Sequence, residues 1–193
     1  NDEGLPLAIG GVSEGISPLE MAAAYATFGN GGKYYFPYSY YKVTNSQGTE
    51  VLLSNEQPRY QQAISEETSD IMCELLQTVD TSYYGKASNV RKFQIMAKTG
   101  TTTSDKDRWF CAGTPYYVAA VWVGFDQPES LGVSVNPGGK IFMTVFDELH
   151  KGLEEKEFPK SNKVIEKRYC RSTGKLAGEN CGSTAKGWFK MTN

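Results

Sequence analysis

The chain has 193 residues, of which 39% are hydrophobic, and a formal net charge of −2 at pH 7. Without a basic excess it gives no support for nucleic-acid binding, and without a run of about 18 apolar residues it predicts no membrane-spanning helix. Its length is sufficient for one domain with a substantial core.

The first predicted helix extends from Ser17 to Phe28. Ser17 is a favourable N-cap, Pro18 suits the first helical position, and Glu20 completes a capping box. One face of this helix is apolar at the helical spacing, and we predict that it is buried as part of the scaffold. The apolar positions are Leu19, Ala22, Ala23 and Ala26.

A hairpin is predicted between Tyr34 and Leu52, with its turn at Asn45-Ser46-Gln47-Gly48. The tyrosines of this segment are either half-buried strand residues or a sugar-binding surface. A second helix is predicted to begin near Ser65, with two acidic residues in its first turn. Its apolar positions are Ile71, Met72, Leu75, Leu76 and Val79.

The strand predicted from Phe93 to Thr101 ends in Lys98-Thr99-Gly100-Thr101-Thr102, which we call the box. A lysine there supplies a positive charge for a carboxylate, and a threonine hydroxyl can hydrogen-bond the same group. A glycine leaves room for a second backbone along the strand edge, and the amide of Thr101 can form half of an oxyanion hole. The short Lys-Thr-Gly sequence also occurs in ordinary turns, so it indicates a site only together with its neighbours.

Two further strands are predicted after the box, from Trp109 to Gly113 and from Tyr117 to Phe125. A tight turn through Thr114-Pro115 joins them, so we predict three antiparallel strands with the box strand at or near the edge. The charged segment 103–108 between the box and Trp109 is either a solvated loop or a rim that contacts a bound peptide.

A third helix is predicted from Lys140 to Leu153, after Pro137-Gly138-Gly139. His150 lies near its end, where we expect a role in capping and charge rather than in catalysis. From residue 154 onward the chain is charged and loop-rich, with one possible strand from Lys163 to Tyr169. The side chains predicted to face inward on the helix are Phe142, Val145, Phe146 and Leu149.

The four cysteines divide into two pairs with different predicted environments. Cys73 lies in a predicted helix and Cys111 in a predicted strand, so both are expected to be buried apolar residues. Cys170 and Cys181 bracket a turn-rich loop, where a disulfide is plausible outside the cytoplasm. Free thiols remain an alternative there, and a zinc site is a weaker one because no CxxC motif is present and His150 is distant in sequence.

The order and spacing of several segments resemble the transpeptidase domain of class A penicillin-binding proteins. The resemblance extends from about Leu5 to about Asp126, and more loosely to Cys181. It implies an α+β fold, an α/β sandwich with an antiparallel sheet between helices, as in serine β-lactamases. The segments are Leu7-Ala8-Ile9-Gly10-Gly11, the Ser17 helix with Gly29-Asn30-Gly31-Gly32, the box, 107–115 and 119–126.

The resemblance implies a peptidoglycan D,D-transpeptidase that cross-links cell-wall stem peptides through an acyl-serine intermediate. Lys98 and Thr99 would hold the terminal carboxylate of a D-Ala-D-Ala stem, with Gly100 and Thr102 beside them. Thr101 would contribute its hydroxyl and its oxyanion-hole amide. β-Lactams would act as inhibitors by mimicking the peptide. No metal or organic cofactor and no nucleic acid is implied, since the chemistry needs only side chains.

The resemblance also implies where the nucleophile lies. The family's Ser-x-x-Lys and Ser-x-Asn motifs precede the Ile-Gly-Gly segment, so we expect the nucleophilic serine and its lysine outside this chain. Residues 1–153 would then be the C-terminal portion of the transpeptidase domain, and 154–193 an extension packed on it. The missing N-terminal half would be an obligatory partner. An upstream membrane anchor, an upstream glycosyltransferase domain and an extracytoplasmic location are also expected.

Two short sequences mimic the absent motifs. Ser39-Tyr40-Tyr41-Lys42 spells Ser-x-x-Lys, but it lies in a predicted strand, where residues three apart point to opposite faces. Ser134-Val135-Asn136 spells Ser-x-Asn, but it precedes Pro137 in a predicted loop. The catalytic motif needs serine and lysine on one helix face, so we predict that neither sequence is catalytic.

Other functions remain as alternatives. A D,D-carboxypeptidase or a β-lactamase-like hydrolase would use the same acyl-serine chemistry with water as acceptor. A non-catalytic scaffold could keep the fold, although the intact box argues against that. Two departures from the family pattern are Tyr83-Tyr84-Gly85-Lys86-Ala87 before the box strand and Ala97 in place of a frequent glycine. The methyl group of Ala97 is expected to narrow the backbone approach slightly.

Overall fold

The computed structural model describes residues 4–179 and 181–191. Within these residues the chain forms three α-helices and nine β-strands, with short 3-10 helices between them. The helices are α1 (Pro18–Gly29), α2 (Glu66–Leu76) and α3 (Pro137–Leu149). The strands are β1 (Lys33–Tyr35), β2 (Lys42–Thr44), β3 (Val51–Ser54), β4 (Tyr60–Gln62), β5 (Met96–Thr101), β6 (Asp107–Gly113), β7 (Val118–Gly124), β8 (Val164–Cys170) and β9 (Thr184–Lys190).

The central sheet consists of β5, β6 and β7, all antiparallel, with β6 in the middle. This arrangement confirms the prediction of three consecutive antiparallel strands. The turn between β6 and β7 is closed by a hydrogen bond from the Thr114 amide to the Tyr117 carbonyl at 2.8 Å. Among the residues that the structure describes, the box strand β5 is an edge strand, as predicted.

Helix α3 covers one face of this sheet. Phe142 and Phe146 on α3 stack with their ring centroids 3.9 Å apart. They pack against Ala97, Phe110 and Ala112 of the sheet, and all five residues are buried. Burial of each large side chain stabilises the fold by about 1.5–3 kcal/mol, so this cluster fixes the position of β5 against α3.

Helix α3 begins earlier than predicted. Pro137, Gly138 and Gly139 form its first turn instead of preceding it. The Asn136 side chain caps this turn by accepting a hydrogen bond from the Gly138 amide at 2.9 Å. A Cβ atom at Gly139 would overlap the Tyr84 ring. The glycines therefore serve close packing of α3 rather than ending a loop.

Helices α1 and α2 lie on the other side of the sheet. The Ser69 hydroxyl of α2 donates to the Thr27 carbonyl of α1 at 2.9 Å and joins the two helices. Gly29 allows close packing, because a Cβ atom there would lie 3.0 Å from the Phe158 ring. The buried cluster at this junction consists of Cys73, Leu76, Met96 and Phe158, with Tyr25, Phe28 and Val118 packed against it.

The predicted starts of α1 and α2 are confirmed. The Glu20 amide donates to the Ser17 hydroxyl at 3.3 Å, and the Ser17 amide donates to the Glu20 carboxylate at 2.9 Å. These two bonds form the capping box of α1. Ser65 caps α2 by accepting from the Thr68 amide. Local side-chain to backbone bonding thus decides where these helices begin.

The predicted apolar faces are only partly buried. Leu19 of α1 is 64% exposed, and Leu75 of α2 is 48% exposed. On α3, Val145 and Leu149 are also exposed, whereas Met143 is buried with the two phenylalanines. The helical spacing identified amphipathic helices correctly, but the sheet covers a narrower face of each helix than the sequence indicated.

The predicted hairpin over Tyr34–Leu52 is in fact two separate ladders. β2 and β3 pair around the predicted turn, where the Gly48 amide donates to the Asn45 carbonyl at 3.0 Å. β1 pairs instead with β4, so that Tyr34 lies opposite Gln61. The sugar-binding alternative for the tyrosines of this region stays a prediction.

The segment after α3 ends in a hairpin of β8 and β9. β8 confirms the predicted strand, whereas β9 was not predicted. The hairpin contacts α2, where the Lys190 ammonium lies 2.8 Å from the Thr68 hydroxyl and Lys163 pairs with Glu67. Upstream of the hairpin, the Ser161 amide donates to the Asp70 carboxylate at 3.0 Å. The division of the chain at residue 153 stays a prediction.

Candidate active site

The box occupies the end of the edge strand β5. Lys98 lies opposite Cys111, and Thr101 lies opposite Arg108 on β6. Because side chains alternate along a strand, Lys98, Gly100 and Thr102 project from one face of the sheet, whereas Thr99 and Thr101 project from the face on which Ala97 packs. The box therefore presents groups on both faces of one edge.

The backbone of the box strand presents amide groups to its open edge. The Thr102 amide donates to the Asp107 carbonyl directly opposite it on the neighbouring strand. In an antiparallel ladder the N–H groups of successive residues alternate in direction. The amides of Thr99 and Thr101 therefore point away from β6, toward the edge that no described strand covers.

A cavity of about 890 Å³ opens beside the box. Its walls come from the box, from the segment before α1, from the start of α1 and from the middle of the sheet. The residues that contribute are Ala8, Gly10, Gly11, Val12, Gly15, Ile16, Pro18, Met21, Tyr25, residues 98–102, Asp107, Trp109, Cys111 and Trp122. This cavity brings the predicted Ile-Gly-Gly segment next to the predicted box.

Lys98 is exposed at the wall of the cavity. Its ammonium group donates to the Thr99 carbonyl at 2.8 Å, which holds the side chain along its own strand. None of the five ion pairs found in the described part of the chain involves Lys98. Its positive charge is therefore not neutralised by a described carboxylate and can attract an anionic ligand.

Gly100 lies close to its neighbour on β6. A Cβ atom built there would lie 3.1 Å from the Cβ atom of Trp109, which is tighter than ordinary van der Waals contact. Glycine thus lets the Trp109 side chain lie close to the box strand. It also leaves no side chain of its own to block the approach of a ligand.

Arg108 contacts Thr101 on the face that α3 covers. One guanidinium nitrogen donates to the Thr101 hydroxyl at 3.3 Å, and another donates to the Val133 carbonyl at 3.1 Å. The third nitrogen pairs with the Asp105 carboxylate. The Arg108 guanidinium lowers the pKa of the Asp105 carboxyl, and Asp105 in turn raises the pKa of Arg108.

Asp107 holds the end of the box strand to the sheet. Its carboxylate accepts hydrogen bonds from the Thr102 hydroxyl at 2.8 Å and from the Trp122 indole at 3.0 Å. Its amide also donates to the Thr102 hydroxyl at 2.9 Å. Asp107 and Arg108 thus belong to β6 and bond to the box, whereas they were predicted to lie in a charged loop.

Ala97 does not narrow the cavity, contrary to the sequence-based expectation. It is fully buried and packs in the cluster beneath α3, on the face opposite to Lys98. Its methyl group fills space against Phe110 and Phe142 instead of projecting toward a ligand. The other departure from the family pattern is the segment 83–87. Its Tyr84 also packs on this cluster, in edge contact with Phe110.

The two sequences that mimic catalytic motifs do not form a site. Ser39 lies in an exposed bend, and Lys42 begins β2, so no helix places them on one face. The predicted strand through Ser39 is wrong, because Ser39 lies in a bend. The prediction that Ser39 and Lys42 do not share a helix face is confirmed. Asn136 is buried, caps α3 and donates to the Trp109 carbonyl at 2.8 Å.

His150 is buried at the end of α3, away from the cavity. One ring nitrogen lies 2.8 Å from the Thr114 hydroxyl, and the other lies 2.7 Å from the Phe146 carbonyl. These bonds agree with the predicted capping role. Both ring nitrogens are engaged by groups of the fold, so His150 acts as a structural link between α3 and the β6–β7 turn.

The cysteines follow the predicted division. Burial raises the pKa of the Cys73 thiol and of the Cys111 thiol, each to about 12. Cys170 and Cys181 are joined as a disulfide, with Cα atoms 5.9 Å apart. Within residues 4–179 and 181–191, no three His, Cys, Asp or Glu side chains come together as a metal site.

Sequence reasoning identified the box but missed the residues that support it. Asp107 and Arg108 were seen as members of a charge run and of the segment 107–115, and Trp122 as part of a strand in the segment 119–126, without a role at the box. Strand alternation with the correct register would have paired Arg108 with Thr101, but the register depends on the intervening turn.

The described part of the chain contains no helix with the length and hydrophobicity of a membrane span.

Comparison with known proteins identifies the family of this chain. The family described as penicillin-binding protein transpeptidase domain matches residues 3–143. Penicillin-binding protein 1A of Clostridium botulinum strain Langeland is 35% identical over 172 residues, which cover 88% of this chain and 21% of that protein. Penicillin-binding protein 1A/1B of Bacillus subtilis is 30% identical over 195 residues, covering 91% of this chain and 21% of that protein. The chain thus spans about one fifth of the length of these relatives.

A solved structure supports the fold. The crystal structure of penicillin-binding protein 1A from Haemophilus influenzae aligns with a TM-score of 0.73 at 24% identity, covering 96% of this chain and 33% of that one. The predicted α+β fold of the penicillin-binding proteins is therefore confirmed. With the family match extending over most of the chain, the chain belongs to the penicillin-binding protein transpeptidase family.

Proposed function

We propose that this chain supplies the box strand of a peptidoglycan D,D-transpeptidase. The observation that carries the proposal is the positive charge of Lys98, which no described carboxylate neutralises, at the open edge of β5 along which Thr99 and Thr101 also lie. A cationic group flanked by hydroxyl donors fits the terminal carboxylate of a peptide. Membership of the transpeptidase family supports the same role.

The stem peptide would bind along the outer edge of β5. Backbone amides of Thr99 and Thr101 point to that edge and can pair with an added strand. Lys98 and Thr99 would hold the terminal carboxylate of the D-Ala-D-Ala end, and Gly100 would let the peptide approach closely. Thr102, held by Asp107, would end the strand at a fixed place.

The chemistry would follow an acyl-serine route. A serine oxygen attacks the carbonyl of the penultimate D-alanine, and the oxyanion that forms is stabilised by the Thr101 amide. The C–N bond then breaks, and the terminal D-alanine leaves with a proton on its nitrogen. An amine of a second stem attacks the ester, forms the cross-link and returns the proton to the serine. A β-lactam would acylate the same serine and remain bound.

The serine and its lysine would come from a segment of the same domain outside this sequence. Large apolar side chains are exposed around the cavity, as expected of a surface that another part of the domain covers. The exposed residues that line the cavity are Val12, Ile16 and Trp122. The domain would work at the extracytoplasmic face of the membrane, held there by an anchor outside this sequence.

The proposal is tested with the complete protein that contains this chain. The protein is treated with a fluorescent penicillin, digested with protease and analysed by peptide mass. We expect one labelled serine, in a Ser-x-x-Lys segment that precedes Asn1. Labelling of Ser39 would overturn the assignment of the nucleophile, and the absence of labelling on any serine would overturn the transpeptidase proposal.

A further inference from the structure

We propose that Arg108 is a positioning residue for Thr101, because it determines the direction in which the Thr101 hydroxyl donates its hydrogen. The inference rests on the proposed function, in which Thr101 hydrogen-bonds the carboxylate of the stem peptide. It assigns a role to a residue that lies behind the box rather than in the cavity.

The direction follows from the donors and acceptors present. A guanidinium group has only donors, so the Thr101 hydroxyl oxygen acts as an acceptor in its 3.3 Å contact with Arg108. Its own hydrogen is then directed elsewhere. Thr101 is exposed at the open edge of β5, so the hydrogen is left to a ligand bound there. The contact with Arg108 therefore occupies one acceptor position of the Thr101 hydroxyl and excludes donation of its hydrogen toward the guanidinium.

Arg108 is itself fixed by two further contacts. It pairs with Asp105 and donates to the Val133 carbonyl at 3.1 Å. Its side chain is only 20% exposed, which leaves little room for an alternative rotamer. Because every nitrogen of the guanidinium is engaged and Asp105 balances its charge, Arg108 does not compete with Lys98 as the anchor for a carboxylate.

The turn that holds Asp105 supports the same inference. Ser104 and Asp105 both adopt positive φ angles, 63° and 55°, which are uncommon for residues other than glycine, asparagine and aspartate. The turn is closed by the Asp105 amide donating to the Thr102 carbonyl at 3.1 Å. The Leu131 amide also donates to the Asp105 carbonyl at 2.9 Å. Strained backbone of this kind persists where the surrounding structure fixes it, often at functional sites. Here it directs the Asp105 carboxylate to Arg108.

The test measures acylation rates of the complete protein by a penicillin and by its methyl ester, which lacks the anionic carboxylate. For Arg108→Gln we expect acylation by the penicillin to fall about 10-fold, as for a lost hydrogen bond to a charged group. For the ester we expect no difference from the natural protein. Asp105→Asn, which retains a side chain that tolerates positive φ, should show a smaller loss with the same preference for the carboxylate.

Two controls make the result specific to Thr101 and its turn. Ser104→Gly removes the steric cost of the positive φ angle at residue 104 and changes no contact of Arg108. It should leave the acylation rates with the penicillin and with its ester unchanged. In a double-mutant cycle, Thr101→Val combined with Arg108→Gln should be no slower than Thr101→Val alone, since the hydroxyl to be oriented is already absent.

The outcomes separate this inference from the proposed function. If the natural protein is not acylated by penicillin, the proposed function fails. If the natural protein is acylated and Arg108→Gln is acylated at the same rate, Arg108 does not position Thr101. Equal losses with the penicillin and its ester, or additive losses in the cycle, would also overturn the inference, because they indicate a general structural effect.

Discussion

The indole N–H of Trp122 donates to the carboxylate of Asp107 at 3.0 Å, between two adjacent strands of the central sheet. The other oxygen of the same carboxylate accepts from the Thr102 hydroxyl at 2.8 Å. One side chain of β6 therefore connects the last residue of the box to β7. This connection holds the end of the box strand in place at the wall of the cavity, which all three residues line.

Removal of that carboxylate should weaken the fold. We expect Asp107→Ala to lower the free energy of unfolding by about 1–2 kcal/mol, because Thr102 and Trp122 each lose a hydrogen-bond acceptor. Denaturant unfolding of the complete protein measures the change. Asp107→Asn retains one carbonyl oxygen and is the matched control, with a smaller loss expected. An unchanged midpoint in the alanine variant would show that the connection contributes nothing to stability.

The buried thiols should resist alkylation in the folded protein. With pKa values of about 12, Cys73 and Cys111 are almost wholly protonated at pH 8, and only the thiolate reacts. We expect no iodoacetamide adduct on either residue in the native state. Both should react after denaturation, in which their pKa values return toward 8.5. Rapid native labelling of Cys111 would contradict its placement beneath the cavity.

The disulfide between Cys170 and Cys181 should stabilise the terminal hairpin by lowering the conformational entropy of its unfolded state. For a loop with a sequence separation of 11 we expect a stabilisation of about 2–3 kcal/mol, which the Cys170→Ser, Cys181→Ser double variant would lose. Peptide masses after denaturation in iodoacetamide test the bond itself. We expect adducts on Cys73 and Cys111 before reduction and on Cys170 and Cys181 only after it, whereas adducts on Cys170 and Cys181 before reduction would mean that the bond is absent.

Much of the architecture followed from local sequence patterns. The capping box at Ser17 and Glu20 marked the start of α1, and the turn at Thr114 marked the β6–β7 connection. These features depend on residues close together in the sequence, so the pattern alone contains the information. For the same reason the box was placed correctly on an edge strand.

The contacts around Thr101 could not be predicted in the same way. The Arg108 contact depends on the register of β5 and β6, which is set by a turn in which Ser104 and Asp105 adopt positive φ angles. Serine and aspartate are also common in other conformations, so the sequence of this turn did not predict the positive φ angles. Likewise Gly138 and Gly139 resemble helix breakers until the packing of Tyr84 against the first turn of α3 is known.

The role of Lys98 as the carboxylate anchor is tested in the complete protein with its nucleophile. The second-order rate of acylation by a fluorescent penicillin is measured for the natural protein, for Lys98→Ala and for Lys98→Arg as the matched control that keeps the charge. We predict a loss on the order of 100-fold in the alanine variant and a much smaller loss in the arginine variant, with unchanged melting temperatures. An alanine variant acylated at the natural rate would contradict the assignment of Lys98 as the carboxylate anchor.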